Sequence, residues 1–216
     1  MIRSTLDSFQ TELLAKFFAR ESSYFLTGGA ALAGFYLGHR KTDDLDLFTL
    51  NDEIQLGFEI LRLVGKEIGA KIEPIQTAPD FRRVLVSRAE DAVVVDLVRE
   101  YVYQVDENKR VINGIRVDSP EEIFANKLAT LLSRSEIRDL VDIYELEKSG
   151  FALEPALEVA AKKDGGLSAG QLAWVLASIK LADSAELPGD VSVDEMREYL
   201  KDLVLRLQQI AVPELE

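Results

Sequence analysis

The stretch that most constrains how this chain folds is residues 24–50, which read YFLTGGAALAGFYLGHRKTDDLDLFTL. It begins with a β-prone apolar run that Gly28 and Gly29 interrupt, and the apolar segment that follows predicts a helix over residues 30–37. Two adjacent glycines let the backbone approach a phosphate closely, and a helix start offers free N–H groups and the positive end of its dipole. The pattern therefore predicts a phosphate-binding loop.

Two aspartates follow on a predicted strand. Residues 44–48, DLDLF, alternate polar and apolar side chains, so Asp44 and Asp46 share one face. Neighbouring carboxylates repel each other, and Mg²⁺, which prefers oxygen ligands, relieves that repulsion. A phosphate loop beside such a pair predicts a site for a nucleoside triphosphate with Mg²⁺. The alternative interpretation is a surface turn followed by a strand with solvated acids.

A third carboxylate is predicted further along the chain. Residues 92–98, AVVVDLV, are typical of a strand that is buried on both faces. An acid in such a run is costly to bury without a partner, so Asp96 is the candidate. The alternative is an exposed acid at the end of the strand, and Asp91 and Asp106 are the next candidates for the role.

One lysine lies within an apolar helical stripe. On the helix predicted over residues 120–133, Lys127 faces inward, where it needs an anion such as a triphosphate or an aspartate. A surface lysine that extends its ammonium to water is the alternative. On the next predicted helix, residues 135–148, the spacing of Asp139 and Asp142 also suits a plain solvated face.

Other chemistry is excluded or disfavoured. The chain has no cysteine, which excludes disulfides, a thiol nucleophile and cysteine-ligated zinc and fits a reducing compartment. Residues 166–170, GLSAG, match the serine-hydrolase motif, but no strand is predicted before them. The only histidine, His39, lies far upstream, so Ser168 is interpreted as a helix N-cap.

Charge and hydropathy bear on partners and location. The net charge is −13, divided as −4 over residues 1–118 and −9 over residues 119–216, which gives no general support for a nucleic-acid partner. The longest uncharged stretch contains glycines and polar residues, so we predict no membrane span. Residues 1–20 lack a secretory pattern, and we expect a cytoplasmic protein.

The motifs resemble those of a known family. The ordered strand, Gly-Gly, helix and Asp-x-Asp strand resemble the DNA polymerase beta superfamily of nucleotidyltransferases, and residues 28–48 resemble more narrowly the AbiEii toxin family. The resemblance implies nucleotidyl transfer, with Mg²⁺ as cofactor. It implies that three carboxylates bind metal and act in catalysis: Asp44, Asp46 and Asp96. It also implies that the nucleoside triphosphate is held by Gly28, Gly29, Arg40 and Lys127.

The order of predicted elements indicates an α+β fold, because strand signals stop near residue 118 and only helices are predicted after it. We therefore predict a small mixed-sheet nucleotidyltransferase core flanked by helices over residues 1–118 and an all-helical region over 119–216 that contributes Lys127. The resemblance itself implies a toxin that modifies RNA such as tRNA and is countered by a cognate antitoxin. AbiEii-like proteins have a lysine similar to Lys127, followed by an Arg-Asp pair that Arg138 and Asp139 resemble. The alternative function is nucleotide binding without turnover.

Overall fold

The computed structural model describes residues 5–134 and 136–212, which divide into two compact units. The first unit contains the described residues up to Tyr101 together with Asp106–Ser119, and the second contains Val102–Val105 and the described residues from Pro120 onward. The helix start predicted at Ser135 lies outside the described residues.

A single mixed sheet forms the centre of the first unit. Its strands are β1 (Tyr24–Thr27), β2 (Asp44–Thr49), β3 (Lys71–Ala78), β4 (Phe81–Arg88), β5 (Asp91–Arg99), β6 (Arg110–Ile112) and β7 (Ile115–Val117). Their spatial order is β3-β4-β5-β2-β1-β7-β6. The β1–β7 and β2–β5 pairs are parallel, and the other neighbours are antiparallel.

The period-2 pattern of β2 determines which of its side chains enter the core. Leu45 and Leu47 are buried, whereas Asp44 and Asp46 are half-buried on the opposite face. Alternation places polar and apolar side chains on different faces, so the strand can be buried on one side and still present two acids on the other.

The first unit also contains three helical segments, which are α1 (Ser8–Phe18), α2 (Gly28–Ala31) and α3 (Ile54–Ile68). A capping box between Asp7 and Gln10 starts α1. The helix predicted over residues 30–37 begins earlier, at Gly28, because β1 ends at Thr27 and the chain turns at once. Over Leu32–Leu37 the same helix continues as a π-helix, which the apolar pattern does not predict.

Five helices make up the described part of the second unit. They are α4 (Pro120–Ser133), α5 (Ile137–Lys148), α6 (Leu153–Lys163), α7 (Ala169–Ala177) and α8 (Val193–Ala211). Ser168 accepts a hydrogen bond from the Gln171 N–H at 3.2 Å, which confirms it as the N-cap of α7. Among the described residues, no helix has the length and apolar character needed to cross a membrane.

The predicted fold class is confirmed. The first unit is a mixed sheet with helices, and the described residues after Ser119 form helices and connecting loops only. β6 and β7 form a hairpin whose turn consists of Asn113 and Gly114, and both residues adopt positive φ.

Candidate active site

One row of paired residues crosses the sheet and brings the predicted carboxylates together. Arg83 of β4 lies opposite Asp96 of β5, Asp96 lies opposite Asp46 of β2, and Asp46 lies opposite Thr27 of β1. Directly paired residues present their side chains on the same face of a sheet. Asp44 lies two residues before Asp46 and therefore shares this face.

The glycine turn packs directly against this row. Gly28 has a φ of 63°, and a Cβ added there would lie 2.2 Å from Asp46 Oδ2. Both the left-handed backbone and the close approach require glycine. The Thr27 hydroxyl donates to Asp118 Oδ2 at 2.5 Å and makes no cap hydrogen bond to α2. The predicted phosphate loop therefore lies beside Asp46.

A buried ion pair anchors the end of β1 from the other side. Lys109 Nζ lies 2.7 Å from Asp118 Oδ1, and both side chains are almost completely buried. The ammonium of Lys109 also lies 4.5 Å from the centre of the Phe25 ring. Asp118 is thus held by Lys109 while it accepts from Thr27, which fixes the residue immediately before the glycine turn.

Arg40, the predicted triphosphate contact, lies at the start of α2. A Cβ added at Gly29 would lie 2.2 Å from Arg40 Nη2, so the guanidinium packs onto the backbone of the turn. Arg40 is buried, and its Nη1 donates to the Lys41 carbonyl at 3.1 Å. The structure therefore places a cation beside Gly29, whereas Gly28 lies against Asp46.

Asp96 has a partner that the sequence did not indicate. Arg83 Nε donates to Asp96 Oδ1 at 2.8 Å, and Arg83 Nη2 donates to Asp96 Oδ2 at 2.7 Å. The hydrogen bonds and charge of Asp96 raise the pKa of the Arg83 guanidinium above its ordinary value against the cost of burial, and Asp46 and Asp44 add to that effect. Arg83 therefore experiences the field of all three acids.

The signal that points to Arg83 is weak in the sequence. In residues 81–88, FRRVLVSR, the alternation places Arg83 on the face opposite the buried Val84 and Val86. That alternation assigns a face but no cross-strand partner. The pairing with Asp96 depends on the register between β4 and β5, which the sequence does not reveal.

The donor set fits a divalent cation in part. Asp44 and Asp46 offer carboxylate oxygens on one face, and the Thr42 hydroxyl, which donates to Asp44 Oδ1 at 2.9 Å, orients one of them. Within residues 5–134 and 136–212, no three acidic, histidine or cysteine side chains are arranged to hold a metal ion. Both oxygens of Asp96 accept hydrogen bonds from Arg83 in this arrangement.

Lys127 lies in the second unit and is paired there. Its Nζ is 2.5 Å from Asp139 Oδ1 and 2.8 Å from Asp142 Oδ2. Burial disfavours the charged form, but the charges of Asp142 and Asp139 outweigh it and raise the lysine pKa. Both aspartates are fully buried, so the interpretation of a solvated face is wrong. The triphosphate role of Lys127 stays a prediction.

Two arginines near Lys127 also donate hydrogen bonds to acidic side chains. Arg134 Nε donates to Asp139 Oδ2 at 3.2 Å, so Arg134 supports the same cluster. Arg138, the other half of the Arg-Asp pair, donates to Glu136 at 2.6 Å. The anion that Lys127 needs is therefore supplied by α5, and the cluster ties α4 to α5.

Comparisons with known proteins identify the family. Residues 12–209 match the family described as nucleotidyl transferase AbiEii toxin, type IV toxin–antitoxin system. JHP933 from Helicobacter pylori is similar in structure, with 22% identity and a TM-score of 0.56 over 93% of this chain and 88% of JHP933. MenT4, a nucleotidyltransferase toxin from Mycobacterium tuberculosis H37Rv, has 15% identity and a TM-score of 0.66 over 93% of this chain and 82% of MenT4.

No curated protein matches the chain. At such low identities the two solved structures establish the fold, whereas the family match covers most of the sequence. The resemblance seen in the glycine and Asp-x-Asp motifs is thereby confirmed. This chain belongs to the nucleotidyl transferase AbiEii toxin family of type IV toxin–antitoxin systems and is a nucleotidyltransferase.

Proposed function

We propose that this nucleotidyltransferase moves a nucleoside monophosphate from a nucleoside triphosphate to an acceptor hydroxyl on RNA, such as tRNA. The observation that carries the proposal is the pairing of Asp46 with Asp96 on neighbouring parallel strands, with the Gly28 turn against Asp46. Two rigid strands hold the acids, and rigid placement is what transfer of a phosphoryl group requires of a protein.

Asp44 and Asp46 would hold Mg²⁺, with Asp96 as the third carboxylate. When bound, the ion neutralises the negative charge that develops on the triphosphate and on the leaving group. The backbone of Gly28 and Gly29 and the Arg40 guanidinium bind and orient the triphosphate. These groups supply N–H donors and positive charge at the start of α2, where an anion is favoured.

Asp96 has the chemical role of general base in this scheme. Its carboxylate accepts the proton of the acceptor hydroxyl while the hydroxyl oxygen forms a bond to the α-phosphorus. The bond from that phosphorus to the oxygen bridging to the β-phosphate breaks, and pyrophosphate leaves with the electron pair. Asp96 is otherwise engaged by Arg83, and this observation favours the alternative of nucleotide binding without turnover.

The family supports the proposed partners, whereas the net charge limits how RNA could be bound. A cognate antitoxin protein and an RNA acceptor in the cytoplasm are the proposed partners of the toxin. The net charge of −13 opposes general attraction to RNA, so RNA must be recognised by a local surface.

The test is incorporation of α-labelled nucleoside triphosphates into total RNA. Wild type should label RNA with at least one of the four triphosphates, and EDTA should abolish labelling. Asp44→Asn and Asp46→Asn should lose activity. Asp43→Asn is the matched control, because Asp43 is an exposed acid that directly precedes Asp44 and lies outside β2. Nucleotide-dependent stabilisation without any labelling of RNA, protein or small-molecule acceptors would favour binding without turnover.

A further inference from the structure

The Arg83–Asp96 pair occupies the position of the third carboxylate completely. The two hydrogen bonds run in parallel from the Nε and Nη2 edge of the guanidinium to the two carboxylate oxygens, at 2.8 and 2.7 Å. A planar guanidinium matches a carboxylate in this fork geometry and holds it more firmly than a single donor does. While the pair is intact, each oxygen of Asp96 accepts one hydrogen bond from Arg83, and a cation that approaches Asp96 meets the positive charge of the guanidinium.

The two partners differ in how easily they move. Asp96 lies within the sheet, and its side chain is 9% exposed. The Arg83 side chain is 45% exposed and extends from a neighbouring strand. An arginine side chain is long and is hydrated readily at the surface, whereas a buried carboxylate left alone is costly. When Asp96 changes its partner, the Arg83 side chain therefore moves away and Asp96 stays in place.

A divalent cation and the Arg83 guanidinium compete for the same charge. Asp44, Asp46 and Asp96 together carry three negative charges, and Arg83 lies in the same cross-strand row as Asp96 and Asp46. A cation bound at Asp44 and Asp46 repels the guanidinium and offers Asp96 a replacement partner. Because both positive groups would use the oxygens of Asp96, binding of one weakens binding of the other.

We infer that Arg83 is a positioning residue that takes the place of the cation on Asp96 and is displaced when the cation binds. The inference rests on the proposed function, since it takes Asp44 and Asp46 as the cation site. The arginine keeps the Asp96 carboxylate oriented in the absence of the ion. In exchange it weakens cation binding, because each binding event must break the ion pair.

The test measures binding of Mn²⁺ alone, by electron paramagnetic resonance of the free ion, with no nucleotide and no turnover. Arg83→Gln should bind Mn²⁺ about tenfold more tightly than wild type, in the range of coupling between contacting charged groups. Arg82→Gln is the matched control. Arg82 lies on the other face of β4, where its guanidinium is 4.2 Å from the Phe58 ring centre and Nη1 donates to Gln55. It should stay within about twofold of wild type, as expected for a screened charge at a distance.

The Asp96→Asn background separates partner exchange from a general charge effect. If Arg83 acts through Asp96, the gain from Arg83→Gln should disappear in Asp96→Asn, whereas an equal gain in both backgrounds overturns the inference. An Mn²⁺ affinity of Arg83→Gln at or below wild type also overturns it. Arg83→Lys retains the positive charge without the two parallel donors, so its Mn²⁺ affinity should lie between those of wild type and Arg83→Gln. Thermal unfolding of each variant verifies that the fold is retained.

The Asp44→Asn variant distinguishes the two possible failures. Loss of Mn²⁺ binding in Asp44→Asn with no gain in Arg83→Gln removes the inference and leaves the proposed cation site standing. Binding that Asp44→Asn does not weaken removes the cation site of the proposed function and the inference with it. Tight binding in Arg83→Gln alone, with weak binding in wild type, supports both.

Discussion

At the scale of single residues, substitution of Asp96 should affect catalysis without a comparable effect on ligand binding in the proposed reaction. Asp44 and Asp46 come from β2 and are proposed to hold the cation, whereas Asp96 comes from β5 and is proposed to act on the acceptor hydroxyl. A group whose interaction matters mainly in the transition state affects turnover more than affinity. The three acids should therefore respond differently to the same substitution.

Asp96→Asn preserves the shape of the side chain and removes its charge. We expect binding of Mg²⁺ and triphosphate within about tenfold of wild type, or roughly 1.4 kcal/mol. Nucleotide transfer should fall by about a thousandfold, near 4 kcal/mol of barrier. The measurements are calorimetric binding and the RNA labelling rate, with Glu90→Gln, an exposed acid in the turn before β5, as control. A near-normal transfer rate in Asp96→Asn would assign the base elsewhere.

At the scale of elements, the turn between β1 and α2 determines where Asp46 can lie. Gly28→Ala introduces both a left-handed alanine and a Cβ 2.2 Å from Asp46 Oδ2. The strain should lower the free energy of unfolding by about 1–3 kcal/mol. Displacement of the carboxylate should reduce transfer by about a hundredfold. Urea unfolding and RNA labelling measure the two effects.

Gly114→Ala is the matched control for this turn. Gly114 has a φ of 80°, but no atom lies within 4 Å of its Cβ position. The substitution adds backbone strain without a collision, so stability should fall by about 1 kcal/mol and transfer should be unchanged. Equal losses of transfer in both variants would mean that instability, and not the contact with Asp46, explains Gly28→Ala.

The α4–α5 pair supplies a second prediction at this scale. From the sequence, methionine at position 127 is expected to pack at little cost, because the stripe is apolar. The structure reverses that expectation, since Lys127→Met leaves Asp139 and Asp142 buried without their cation. We expect a loss of about 3–5 kcal/mol in urea unfolding.

Lys148→Met is the control for the loss of a lysine. Its side chain is 58% exposed and makes a surface pair with Glu145. The change in stability should stay within about 0.5 kcal/mol. If Lys127→Met is as stable as Lys148→Met yet fails to bind triphosphate, Lys127 acts on nucleotide and its ion pairs contribute little to the fold.

At the scale of the whole molecule, ligands that bind only the native state raise its stability by mass action. Mg²⁺ and a nucleoside triphosphate together should raise the melting temperature more than either alone, because each supplies charge that the other needs. At a hundred times the dissociation constant the gain is about 2.7 kcal/mol. The Asp44→Asn/Asp46→Asn double variant should lose the joint effect. Unchanged melting of wild type with Mg²⁺ and all four triphosphates would remove the nucleotide site.

The local pattern of the sequence by itself determined the faces of strand residues, the helix start at the glycine pair and one helix cap. The alternation of residues 44–48 placed Asp44 and Asp46 on one face, and the glycine pair placed a helix start beside them. Ser168 as an N-cap depends on neighbours within a few residues of the chain, so the sequence contains it. The family follows from the same short-range motifs in their order.

Partners from distant parts of the chain were decided only by the tertiary structure. The bond between Arg83 and Asp96 depends on the register of β4 against β5, which a shift of one residue would abolish. The burial of Asp139 and Asp142 against Lys127 depends on how α4 packs on α5. The sequence contains each of these charges, but which charge meets which is determined by long-range packing, because charge pairing follows distance and burial rather than order along the chain.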